Sequence, residues 1–132
     1  VETILLLLIT LRDLLVLLTL PALALSALLG LRLLVHEPTA WHSRLFKVVA
    51  GSTMSGFVLD LLLRFLFAGG SSWLHSVYGL MAALILYGVS GLEPGGWLRN
   101  GLSKAPERIG PYFFWASFVG LLLWWRFIET GR

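Results

Sequence analysis

The chain has 132 residues, of which 58% are hydrophobic and 13% charged, with a mean hydropathy of +0.86. An ordinary soluble domain is about 25% charged, so a water-soluble globular domain is excluded, and the length leaves room for one compact unit. Cysteine is absent, which removes disulfides, thiolate metal sites, iron–sulfur clusters and thiol catalysis together. The net charge of +3 comes from ten Lys/Arg against seven Asp/Glu, and no basic run is long enough for a nucleic-acid patch. The basic excess is read as membrane topology.

A bilayer-spanning helix needs roughly 20 mainly apolar residues. Four such windows are bounded by Gly, Pro or charged clusters, at about 4–35, 45–67, 73–89 and 111–128. They predict an all-α polytopic membrane protein, one up-down antiparallel bundle of four transmembrane helices filling residues 1–132. The first window is longer than the hydrocarbon requires. A helix there has to tilt, kink or begin outside the membrane, and Pro21 is the expected kink, because it lacks a donor and clashes one turn back. A cleaved signal peptide is not expected: the stretch has no basic start, carries Glu2 and Arg12-Asp13, and runs too long. Gly69-Gly70-Ser71-Ser72 is a tight link, which makes the second and third helices antiparallel neighbours.

The two longer connections, 35–44 and 91–110, fall on one side of the membrane. That side holds Arg32, Arg44, Lys47, Arg99, Lys104 and Arg108, against Arg12, Arg64, Arg126 and Arg132 opposite. The positive-inside rule then places the connections in the cytoplasm and both termini outside. Trp41, Trp73, Trp97 and Tyr112 lie at expected interfaces, while Phe113-Phe114-Trp115 and Trp124-Trp125 are read as lipid-facing by default.

Within lipid, helices associate through small residues and a few polar contacts. Ser52, Gly56 and Asp60 recur every fourth residue on the second span, Gly79 and Ala83 on the third, and Ala116 and Gly120 on the fourth. Thr19, Ser26 and Gly30 supply a comparable stripe on the first. Ionisable groups in spans cost roughly 2.5–3.5 kcal/mol each at mid-bilayer unless paired or hydrated. Arg12, Asp13, Asp60, Arg64, His75, Tyr78, Arg126 and Glu129 all fall toward one leaflet under this topology, so four helices contribute to one polar layer. Asp60 and Arg64 stand at i,i+4, and Arg126 and Glu129 at i,i+3. Paired charges locking the bundle are one reading. The other is a hydrated pocket in which His75, Asp60 and Tyr78 meet a quinone head group, a haem propionate or a moving proton.

His36 and His42 lie at the opposite end from His75, which rules out bis-His haem ligation within one chain. Haem or chlorophyll contact through His75 alone stays open, against a structural role in which it bonds Ser71 or Asp60. His36, Glu37 and His42 form too small a donor set for a metal site. No phosphate-cradling loop, nucleophile elbow or HExxH is present, so no catalytic residue is assigned.

Leu74-His75-Ser76-Val77-Tyr78-Gly79 resembles the LHxxYG signature of small, uncharacterised four-helix bacterial membrane proteins. Arg126-Phe127-Ile128-Glu129-Thr130-Gly131 is similar to their RxxxTG ending. The resemblance implies the four-span architecture and a bacterial origin, and it transfers no activity. Those proteins often carry a histidine early in the first span, where this chain has Arg12-Asp13. The expected role is a small accessory subunit of a membrane energy-converting electron-transfer complex, contacting lipids and other transmembrane subunits and lining a quinone or pigment site. The alternative is a free-standing haem- or quinone-binding oxidoreductase. A small transporter is not favoured, because the inverted repeats and broken helices of such proteins are missing.

Overall fold

The computed structural model describes residues 2–36, 39–67, 73–92, 96–101 and 110–130. All regular structure among them is helical: α1 (Glu2–Gly30), a single 3-10 turn (Arg32–Leu34), α2 (Ala40–Phe67), α3 (Trp73–Ser90), α4 (Trp97–Gly101) and α5 (Gly110–Thr130). α1, α2, α3 and α5 are each long and apolar enough to cross a membrane.

Two boundaries differ from those expected, each for a local reason. The first helix ends at Gly30 instead of near residue 35, and the chain tightens there: Leu31 N–H donates to the Leu28 carbonyl and Val35 N–H to Arg32. A glycine at that point also lets α5 approach, since a Cβ on Gly30 would stand 3.0 Å from the Phe114 Cα. The second helix begins at Ala40 instead of near residue 45. Thr39 caps it, its carbonyl accepting from Ser43 N–H while its hydroxyl and N–H both reach His42 Nδ1. His42 is thereby a capping side chain, while His36 is exposed. Glu37, the third member of that weak cation set, lies outside the described residues, as do the Gly69–Ser72 link, Glu93-Pro94-Gly95, 102–109 and Arg132.

The connection between the third and last spans is not all irregular. α4 interrupts it, held by the Leu98 N–H on the Gly91 carbonyl and by Trp97 stacked on Tyr87.

The four long helices close a ring in which α1 and α3 each pack on both α2 and α5. Leu23, Phe46, Val49, Phe57, Leu86 and Trp124 fill its centre. The small-residue stripes lie along the seams. Thr19 and Ser52 share a hydroxyl hydrogen bond across α1 and α2, and Ser26 and Ser117 share another, at 2.7 Å, across α1 and α5. Gly56 lies under the Trp124 ring and Gly120 under Leu86, while Ala83 and Ala116 are buried. The default lipid-facing reading of the last span's aromatics needs correction. Phe113 stacks on Phe46 and Trp124 is fully buried, because α5 turns residues 113, 116, 117, 120, 124 and 127 inward, while Trp115 and Trp125 are exposed and Phe114 is half-buried.

Candidate functional site: a buried Asp–His–Arg knot

Asp60 is the centre of the polar end of the bundle. It sits on the inner stripe of α2, 5% exposed, and three cationic or imidazole side chains converge on its carboxylate. From the same helix, Arg64 Nε donates to Oδ1 and Oδ2 at 3.2 and 3.0 Å. From α1, Arg12 Nη1 reaches Oδ1 at 3.4 Å. From α3, His75 Nε2 meets Oδ2 at 2.7 Å. Arg12 also binds the half-exposed Asp13 through Nε and Nη2, at 3.1 and 3.0 Å.

His75 is 2% exposed, and its second nitrogen ties in the fourth helix. Nδ1 lies 2.7 Å from the Phe127 carbonyl, which can only accept, so Nδ1 carries a proton. One further proton is then shared between Nε2 and Oδ2, on one atom or the other, because two bare acceptors do not approach to 2.7 Å. The imidazole lies flat on the Phe127 ring, with centroids 4.1 Å apart, and Phe127 lies on Trp124 at 4.5 Å. Trp124 Nε1–H donates to the Val16 carbonyl of α1 at 2.9 Å. Thr130 stands beside Nδ1 and satisfies its own hydroxyl on the Arg126 carbonyl.

Gly79 permits this stack. A Cβ there would fall 2.5 Å from Phe57 Cδ1 and 2.6 Å from Phe127 Cε1, so any other residue displaces the ring that orients His75.

The eight polar residues singled out from the sequence divide into two groups. Arg12, Asp13, Asp60, Arg64 and His75 form the knot and line a cavity of about 210 Å³ with Val16, Leu17, Phe127 and Ile128. Tyr78, Arg126 and Glu129 lie apart from it, on the outer side of α3 and α5. There Arg126 stands 5.7 Å over the Tyr78 ring and pairs with Glu129 at 2.8 Å, both side chains well exposed. The eight thus divide into a cluster of five around Asp60 and an outer group of three. Arg126 precedes Phe127 by one residue, about 100° round α5, which is enough to turn it outward, while Tyr78, three residues from His75 and close to its face of α3, stays half-buried beneath the guanidinium. Of the two partners expected for His75, Asp60 is the one it bonds, and Ser71 lies outside the described residues.

Two members of the site have no signal in the sequence: the Phe127 carbonyl and the Val16 carbonyl are backbone acceptors that any residue offers. The two short motifs nonetheless meet in space, His75 with Phe127 and Thr130, Tyr78 with Arg126, and Gly79 with Phe127.

The arrangement can hold a proton between two buried groups and can present positive charge to a small cavity. It has no imidazole lone pair turned outward for iron or magnesium, since Nε2 would first have to leave Asp60. Among the described residues no group of three His, Asp or Glu is placed to hold a metal ion. No family model, curated protein or solved structure matches this chain.

Proposed function

We propose that this chain is a small, non-catalytic subunit of a larger membrane assembly, with an energy-converting electron-transfer complex as the assembly and a bacterial inner membrane as its place. The observation that carries the reading is the knot itself. Side chains from three helices and a backbone carbonyl from the fourth satisfy one another, so the polar layer is occupied in holding the bundle together. Meanwhile the lateral surface is almost wholly apolar. Ile4, Leu6, Leu7, Leu11, Leu14 and Leu18 of α1 are all exposed, a surface for lipid and partner helices.

We read the bundle as up-and-down. The cross-helix pairs Thr19–Ser52, Arg12–Asp60, Ser26–Ser117 and Gly30–Phe114 support it, because residue numbers rise on one helix as they fall on its neighbour. Pro21 stays our candidate for a bend in α1, since the Leu17 carbonyl loses its usual donor there. The termini are placed outside on the distribution of Lys and Arg. Kinship with the small four-helix proteins that carry LHxxYG belongs to the same reading.

The alternative, a haem- or quinone-binding oxidoreductase, draws less support. Both His75 nitrogens are engaged, and the cavity beside them is smaller than the roughly 300–1,000 Å³ of ordinary small-molecule pockets. Mass spectrometry of the gently solubilised native complex tests the proposal. Co-isolation with larger membrane subunits, and a colourless chain once separated, is the expected result. A lone chain with a Soret band or a retained quinone overturns it. Asp60→Asn sharpens the outcome: a structural knot weakens assembly, whereas a ligand pocket loses its ligand with assembly unchanged.

A further inference from the structure

We infer that the Asp60–His75 pair is an exchangeable proton site, and that losing its proton opens the bundle between α2 and α3 at the knot. The inference goes beyond the subunit reading and holds whichever assembly the chain joins.

Proton counting carries it. A neutral imidazole has a single N–H, yet His75 meets an acceptor at each nitrogen, the Phe127 carbonyl at 2.7 Å from Nδ1 and Asp60 Oδ2 at 2.7 Å from Nε2. Both contacts therefore last only while the pair holds a second proton, on Nε2 or on the carboxyl. When that proton leaves, two lone pairs face one another across one of the contacts. The position of the ring decides which. His75 lies flat on Phe127, with centroids 4.1 Å apart, and Thr130 Oγ1 stands 3.3 Å from Nδ1, so the imidazole stays with α5 and its contact with α2 gives way. Asp60 remains tied to Arg12 of α1 and to Arg64 of its own helix. Further along, Trp124 still ties α5 to the Val16 carbonyl of α1, so the opening is confined to the knot.

A route for the proton is present. Asp60 and His75 are buried, but both line the cavity of about 210 Å³ whose wall includes the half-exposed Asp13, and its polar lining suits water. The groups that face the pair are Arg12 and Asp13 from α1, Arg64 from α2, and the Phe127 carbonyl with Thr130 from α5. Arginine does not titrate in proteins, and Asp13 reaches the pair only through Arg12, which binds both carboxylates. On the outer side of α3 and α5, Tyr78, Arg126 and Glu129 face one another instead. The shared proton is thus the one whose loss acts directly on the contact.

Nuclear magnetic resonance of the isotope-labelled chain in detergent tests this between about pH 5 and pH 9, a window above ordinary carboxylates and below tyrosine. The His75 ¹⁵N signals report the protons, and the through-space cross-peak from the His75 ring to the Asp60 carboxyl reports the contact. As pH rises, the Nε2 signal should move to that of a bare nitrogen while Nδ1 keeps its proton, and the cross-peak should be lost over the same step. Asp60→Asn sets an amide N–H against Nε2, a donor that no pH in this window removes, so its cross-peak should persist throughout. His75→Gln has no proton to lose in the window and should show one unchanging contact with Asp60; it decides the matter if the first variant does not fold. The proposal is overturned by a pair that keeps its second proton to the top of the window, by a cross-peak that survives the loss of the Nε2 proton, or by a contact that breaks with pH in either variant.

Discussion

The helices that meet at Asp60 by charge meet further along by hydroxyl groups and glycine. At the knot, long side chains span the gap between helices and leave a cavity beside them. In the middle of the bundle, Ser26 touches Ser117, Gly56 takes the Trp124 ring and Gly120 takes Leu86, and these contacts draw the backbones close. The two regions therefore contribute differently. Small residues supply van der Waals contact, which tolerates some sliding along the seam. A carboxylate shared by three partners tolerates none, so the knot sets the register of all four helices.

Four experiments break or sharpen this contrast. The largest effect is expected of Asp60→Leu, which removes the carboxylate that Arg12, Arg64 and His75 share. Removing one member of a buried ion network costs about 3–5 kcal/mol, read as the shift in a detergent unfolding titration, and the remaining helical signal should lose its cooperativity. An Asp60→Leu chain as stable as the parent would reduce the knot to decoration.

Next comes Gly79→Ala. The added methyl collides with Phe57 and Phe127, so overpacking of about 1–3 kcal/mol is expected, together with a shifted ¹⁵N resonance for His75 as its ring loses the Phe127 stack. Unperturbed His75 signals would separate the aromatic stack from the knot. The same spectrum in the unmodified chain should place a proton on Nδ1.

A double-mutant cycle of Ser26→Ala and Ser117→Ala probes the middle of the bundle. Its coupling should be about 0.6 kcal/mol, the average for hydrogen bonds between membrane helices, and well below that at the knot. If the serine pair couples as strongly as the charges, the contrast between regions fails. The smallest effect belongs to Glu129→Gln, which opens the exposed pair with Arg126; unfolding is expected to stay within experimental error.

Much of the architecture is legible before folding, and the reasons are particular. α3 is visible because Trp73–Ser90 is a mainly apolar run, broken only by His75-Ser76 near its start and Ser90 at its end, with little else it can be in lipid. The small residues at 52, 56, 79, 83, 116 and 120 are visible because spacing by four repeats a helical face. The end of α1 at Gly30 is less so, since Leu31, Leu33, Leu34 and Val35 continue the apolar composition around Arg32 while the chain already turns. α4 escapes notice because Trp97–Gly101 follows Pro94-Gly95-Gly96, which signals a break.

Composition and periodicity alone determined that four apolar helices form and that the charges within them cannot remain unpaired in hydrocarbon, because both follow from local hydropathy and the solvation of ions. Only the tertiary structure decided which charges pair. Arg12 and Arg126 read alike in one dimension, yet helix rotation turns Arg12 into the knot and Arg126 onto the surface. The partners that fix His75 and Trp124 are carbonyl oxygens of Phe127 and Val16. Every residue carries that group, so no pattern of side chains can announce which one a neighbouring helix will bring within reach.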